Sequence, residues 1–313
     1  MIDLSDNEKK ILTITLNPSV DISTETDKVI IDEKTRCDQP KHDPGGGGIN
    51  VARVISRLGC CSEALFIAGG YTGDKLITML EEESINCHAV RSPQLTRQNI
   101  AITDHSIEKQ YRFVLPGCVP DDQIWQDALD IVRDESETYD YIVGSGSLPD
   151  GVPDDFYSRV AKIAADAGQK FVLDTSGKAL MNGVQNGAYF IKPNNEEFKK
   201  LKELYGVSED RDLLDKLFSN GIENVIQTFG KDKTVLHTPE KSHSFTPPSI
   251  TPKSAIGAGD SFVGGMITGL INGFPMDKAI CYGISAAAST LQSDGTDLCE
   301  KEEVEEIFAE NYG

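Results

Sequence analysis

Basic residues are scarce in this chain. Lys and Arg number 30 against 50 Asp and Glu in 313 residues, a formal net charge of −20. Such a surface argues against nucleic acid and anionic membrane as partners. It also means that any phosphate must be held by a few local cations. No two of the seven cysteines form a C-x-x-C pair. An odd, scattered set reads as reduced thiols in a cytoplasmic protein rather than as a disulfide framework. No apolar run is long enough to span a bilayer, the longest covering residues 279–291. Residues 1–10 are charged and lack the apolar stretch of a signal peptide. No internal repeat or low-complexity linker occurs. There is no G-x-x-x-x-G-K-[ST] and no G-x-G-x-x-G after a strand, which argues against a P-loop enzyme and a nicotinamide oxidoreductase.

What the chain does have is alternation. Apolar strand-like runs at 11–16, 64–68, 139–144, 170–174, 188–192 and 224–228 are interleaved with helical patterns. Those patterns fall at 49–58, 74–83, 122–134, 154–167, 195–205, 211–219, 259–270, 277–291 and 301–310. Near-continuous apolar strands each followed by a helix predict an α/β fold, doubly wound, with a mostly parallel sheet flanked by helices. Residues 11–313 read as one such domain. Segments 22–40 and 98–115 break the pattern, the second with a turn signal at Asp104-His105-Ser106. They predict a small inserted β-sheet, a lid whose apolar face needs a cover from substrate, another subunit or both.

Four motifs carry chemistry. Gly257-Ala258-Gly259-Asp260-Ser261 opens a small-residue helix, whose free amides and positive dipole end make an anion hole. A carboxylate inside an anion hole repels phosphate, so Asp260 reads either as a favourable first-turn charge or as the base that deprotonates an attacking hydroxyl. Pro44-Gly45-Gly46-Gly47-Gly48-Ile49-Asn50 is a four-glycine entry to a helix, suited to backbone contact with a polyol, with Asn50 offering a donor and an acceptor. Lys192-Pro193-Asn194-Asn195-Glu196-Glu197 ends a strand. Its Asn194 and Glu197 fit a capping box or a water-mediated Mg²⁺ site. Thr228-Phe229-Gly230-Lys231 is a further turn after a strand. In so acidic a chain, Lys34, Arg36, Arg97 and Arg112 in the two lid segments suggest a phosphate clamp, and singly each fits a solvated sheet edge.

These motifs, with Asn17-Pro18-Ser19-Val20-Asp21, Thr96-Arg97-Gln98-Asn99, Gln110-Tyr111-Arg112-Phe113 and Gly146-Ser147-Leu148-Pro149, resemble the ribokinase-like (PfkB) sugar kinases over nearly the whole chain. The resemblance is greatest to members that phosphorylate fructose 6-phosphate at O1 with ATP. It implies a catalytic base at Asp260 and an anion hole from Gly257, Ala258 and Gly259. It implies sugar contacts from Asp21, Gly45, Gly46 and Asn50, and phosphate contacts from Lys34, Arg36, Arg97, Arg112 and Ser147. Lys192, Asn194, Thr228 and Gly230 would line ATP, and Asn194 and Glu197 would order Mg²⁺ through water. A K⁺ ion near Ser254 and Ile256 and a homodimer through the lid are further implications. Kinases resembling the tagatose 6-phosphate and fructose 1-phosphate specificities carry Lys at the position of Gly47. Two stretches depart from the family: Lys233 replaces a common Gly, and Ser293-Asp294-Gly295-Thr296-Asp297 replaces a segment with Asn and Arg. Both bear on the nucleotide side. The neighbouring alternative is a kinase of the same family for tagatose 6-phosphate or fructose 1-phosphate; the rival from another class is a sugar-phosphate sensor on the same fold, which would have no need of Asp260.

Overall fold

A computed structural model describes residues 10–293 and 295–313. The charged N-terminal stretch before Lys10, and Asp294 of the nucleotide-side string, lie outside the described residues. The first half contains β1 (Ile11–Thr15), β2 (Ser19–Thr26), β3 (Lys41–Gly45), α1 (Gly47–Arg57), β4 (Glu63–Gly69), α2 (Gly70–Glu82), β5 (Asn86–Ser92), β6 (Arg97–Asp104), β7 (Lys109–Val114), α3 (Asp122–Glu135) and β8 (Tyr141–Ser145). The second contains α4 (Phe156–Asp166), β9 (Lys170–Asp174), α5 (Gly177–Gly183), β10 (Phe190–Ile191), α6 (Asn195–Tyr205), α7 (Asp210–Ser219), β11 (Val225–Thr228), β12 (Thr234–His237), β13 (Ser242–Phe245), α8 (Ala258–Ile271), α9 (Met276–Gln292) and α10 (Lys301–Tyr312).

Nine strands form one sheet in the order β13-β12-β11-β10-β9-β8-β1-β4-β5. Its pairs are parallel from β5 to β11, and the hairpin β12-β13 adds antiparallel strands at one edge. All five residues of β1 are buried, because helices cover both faces. On one face Leu12, Ile14, Ile142 and Leu173 pack with Trp125 of α3, Phe156 of α4 and Phe198 of α6. On the other, Ile11, Val143, Val172 and Phe190 pack with Val51 of α1, Met266 of α8 and Ile284 of α9. The chain leaves β1 toward β4 on one side and reaches β8 on the other, so strand order reverses beside β1. Ligand crevices in such sheets open above the carboxyl ends of the strands at this reversal.

The lid is a four-stranded sheet, β3-β2-β6-β7. Its registers put Asp21, Asn99 and Val114 side by side, then Ile22, Ile100 and Phe113, then Ser23, Ala101 and Arg112, then Thr24, Ile102 and Tyr111. Partners directly across a ladder share a face. One face is therefore largely polar and the other carries Ile22, Ile100, Ile102, Tyr111 and Phe113. The predicted turn is present, with Asp104 Oδ1 accepting from the Ser106 amide at 2.9 Å.

Several boundaries differ from the sequence expectation. Residues 27–40 hold no strand, and their link to β2 includes side-chain bonds, Thr24 Oγ1 to the Asp38 carbonyl and Thr26 Oγ1 to the Arg36 carbonyl, both 2.9 Å. The predicted strand at 188–192 contracts to Phe190–Ile191, because Pro193 cannot extend the ladder. The helix expected from residue 74 begins earlier, with α2 starting at Gly70. No helix among the described residues is long and apolar enough to cross a membrane.

Candidate active site

At the crevice, α8 starts at Gly257, whose φ of 75° is left-handed and suits glycine. A Cβ there would lie 2.6 Å from Leu298 Cδ2. Asp260 occupies the first turn. Its Oδ2 accepts a 2.8 Å hydrogen bond from Asn50 Nδ2 of α1. Burial pushes the Asp260 carboxyl up to about 7, aided by the charge of Asp174, while the Asn50 amide and Lys192 act in the opposite sense. A carboxyl so tuned is half ionised near neutrality and suited to accepting a proton there.

Below it, Lys192 follows β10 and is 8% exposed, with its ammonium 3.0 Å from Asp174 Oδ1. Burial opposes the Lys192 charge, but Asp174, Glu197 and Asp260 outweigh it and hold the ammonium above its ordinary pKa. Burial raises Asp174 against the pull of Lys192, and raises Glu197 as well. Three carboxylates thus surround one buried cation. Asp174 was missed by sequence reasoning. The available signal was its place at the carboxyl end of an apolar run, where such sheets put their functional groups.

The glycine run threads between the ends of β1 and β8. A Cβ at Gly47 would lie 2.4 Å from Ser145 Oγ and 2.7 Å from the Gly146 nitrogen. The Ile49 amide donates to Thr15 Oγ1 at 2.9 Å and fixes the entry to α1. A Cβ at Gly45 would lie 2.4 Å from Asp21 Oδ2, so glycine there makes room for the carboxylate. Asp21 Oδ1 accepts from Ser19 Oγ at 2.7 Å and from Asn99 Nδ2 at 2.8 Å, which aims it at the crevice floor. Asn99 Oδ1 is buried without a partner. Asn99 ends the Thr96-Arg97-Gln98-Asn99 motif, whose resemblance assigns it no role.

The lid's polar face roofs two spaces. One of about 720 Å³ is lined by Lys41, Arg112, Lys253 and Ser254, and one of about 160 Å³ by Asp21, Asn99, Arg112, Ile256 and Thr296. Arg112 reaches both. The other three lid cations are not assembled with it. Arg97 is half-buried and spends its guanidinium on main-chain carbonyls: Asn17 at 3.0 Å, Pro18 at 3.4 Å and Leu115 at 3.4 Å. Lys34 and Arg36 are exposed in the stretch beside the far end of β2. That end lies five residues beyond Asp21, roughly 17 Å along the strand. A four-cation clamp is therefore absent from this single chain as described, because the lid is long and its cations are spread along it.

Ser147 is exposed after β8 and accepts from Asn17 Nδ2 at 3.0 Å. Asn194 and Glu197 form a complete capping box: Asn194 Oδ1 takes the Glu196 and Glu197 amides, and Glu197 Oε2 takes the Asn194 amide at 2.8 Å. Thr228 bridges to Asn194 at the end of β11, and Gly230 sits in the following turn with φ 59°. Ser254 Oγ donates to the Gly295 carbonyl at 2.6 Å and accepts from the Ile256 amide at 3.3 Å.

The pfkB family carbohydrate kinase model matches residues 14–303. The ATP-dependent 6-phosphofructokinase isozyme 2 of Mycobacterium tuberculosis H37Rv is 36% identical over 306 residues, covering 97% of this chain and 90% of that protein. The isozyme 2 enzyme of Escherichia coli K12 is 33% identical over 304 residues, covering 96% and 98%. The crystal structure of phosphofructokinase-2 from Escherichia coli in complex with potassium superposes with a TM-score of 0.90 at 31% identity, covering 97% of this chain and all of that one.

Proposed function

Because this chain belongs to the pfkB family of carbohydrate kinases, we propose that it transfers the γ-phosphoryl group of ATP to O1 of fructose 6-phosphate. The observation that carries the reading is Asp260, a carboxyl raised to about 7 at the mouth of an anion hole and oriented by Asn50. Asp260 takes the O1 proton as the oxygen attacks phosphorus. The amides of Gly257, Ala258 and Gly259 and the Lys192 ammonium offset charge on the transferring group, in a loose transition state that asks mainly for positioning and electrostatics. Asp21, Gly45, Gly46 and Asn50 hold the sugar. Arg112, the lid cation facing both spaces, meets its phosphate, while Arg97 braces the lid root. Ser147, Lys34 and Arg36 are not placed at that pocket by this chain alone.

Thr228 and Gly230 flank the ATP phosphates. The excess of Asp174, Glu197 and Asp260 over Lys192 suits a Mg²⁺ ion, which would screen phosphate charge when bound. Glu197, and Asn194 beside it, would meet that ion through water, since both are engaged in the cap. Main-chain oxygens at Ser254 and Ile256 would offer K⁺ its ligands, with Ser254 Oγ already bonded to the Gly295 carbonyl and the Ile256 amide. Gly47 has no room for a side chain, which supports fructose 6-phosphate over the sugar phosphates whose kinases carry Lys there. The apolar lid face supports a homodimer, and the scattered thiols a cytoplasmic location.

Asp260→Asn tests the mechanism. General-base catalysis supplies about 10²–10⁴-fold, so kcat in a coupled assay should fall by at least that range while fructose 6-phosphate binding persists. A loss below about tenfold contradicts the role.

A further inference from the structure

Asp43 lies on β3 directly opposite Asp21 of β2, and is only 6% exposed. A buried carboxylate facing a half-buried one across a ladder is repelled by it unless something offsets the charge. The offset comes from the far end of the chain. Thr296 Oγ1, in a residue 8% exposed, donates to Asp43 Oδ2 at 2.5 Å across 253 positions. Lys41, two residues before Asp43 on the same face of β3, pairs with Asp43 at 3.4 Å and with Asp297 at 2.5 Å. The same loop reaches the anion hole, because the Gly295 carbonyl takes the Ser254 hydroxyl, and Ser254 precedes Gly257 by three residues. Segment 295–297 therefore touches both the lid beside the sugar carboxylate and the approach to α8.

We propose that Asp43 is a positioning residue that docks segment 295–297 onto the lid, and so couples occupancy of the sugar site to that of the nucleotide side. The proposal rests on the kinase reading above. When the lid is down, the Thr296–Asp43 bond forms out of water and its loss leaves a buried acceptor unmet. When the lid lifts, Asp43 is hydrated and the segment is released. A ligand that holds the lid by Asp21 therefore also holds the segment, and linkage makes the effect reciprocal. The buried bond carries this more than the Lys41–Asp297 pair, whose side chains are 51% and 45% exposed and which is weak at an open surface.

The test is calorimetric titration of Mg·AMP-PNP with and without saturating fructose 6-phosphate. In the wild-type protein the sugar phosphate should tighten AMP-PNP binding by about fivefold or more. Thr296→Val should bring that ratio near one, with AMP-PNP affinity in the absence of sugar changed less than the coupling. Thr296→Ser, which keeps the hydroxyl, should retain it. Should the valine variant fail to fold, Asp43→Asn is measured in its place and should weaken the ratio. Unchanged coupling in the variant, loss of coupling in Thr296→Ser, or no coupling in the wild-type protein overturns the proposal. Failure of the wild-type protein to bind fructose 6-phosphate at all overturns the kinase reading instead.

Discussion

At Asp260 two influences oppose one another: burial with the Asp174 charge raises the carboxyl to about 7, and Asn50 and Lys192 restrain it. A base must be ionised to work, so kcat/KM should fall as pH drops through about 7 and level off above it. The same shift acts on stability. The folded carboxyl holds its proton more tightly than an unfolded one at its ordinary value of 3.8. Its favourable contribution is complete below that lower value and is lost as pH rises through about 7. Asp260→Asn should therefore raise Tm at about pH 8, by about 2 °C or more, with the gain vanishing toward about pH 4. An equal gain at both pH values, or a flat pH profile of kcat/KM from about 5 to 8, contradicts this assignment. Asp260 was legible in sequence because two glycines and a carboxylate at a helix start have few uses. Asp174 was not, since a strand-terminal Asp carries no local pattern and acquires its partner only when β9 and β10 lie side by side. The spread of the four lid cations was hidden for a related reason: sequence shows that cations are close along the chain, not that Arg97 turns back onto the carbonyls of Asn17 and Pro18.

The site exists because two helices point their N-termini at one spot. Asn50 on α1 and Asp260 on α8 meet only if those helices approach closely. A Cβ at Gly264 would lie 2.6 Å from Val54 Cγ1 and 3.2 Å from the Val51 carbonyl oxygen, both of α1. Gly264→Val should overpack the α1–α8 contact, cost about 1–3 kcal/mol and lower Tm by several degrees. It should also reduce kcat by moving Asn50 from Asp260. Unchanged Tm and kcat would show that the close approach is not needed. The central strands were legible because burial on both faces writes a continuous apolar run, as in β1 and β8. The edges were not. β5 is Asn86–Ser92 with mixed burial, and β12–β13 is a short hairpin, so neither leaves an apolar run. The start of α2 was hidden by Gly69 and Gly70, which read as turn residues until the fold sets them at a helix N-terminus.

For the whole molecule, the lid presents Tyr111, Phe113 and Leu115 at 40%, 50% and 43% exposure. Its other face looks onto the cleft, so among the described residues of one chain the apolar side is left without a cover. Sedimentation equilibrium should give a dimer at micromolar concentration, and Phe113→Asp should shift it toward monomer. A fully active wild-type monomer at that concentration contradicts the lid interface. An acidic surface adds selectivity of a coarse kind: it repels phosphorylated metabolites everywhere except where Lys192 and Arg112 offset it. The most direct test of the account is kcat/KM at saturating MgATP for fructose 6-phosphate, fructose 1-phosphate and tagatose 6-phosphate. The account predicts the highest value for fructose 6-phosphate. A higher value for either of the others, or no turnover of any, contradicts it.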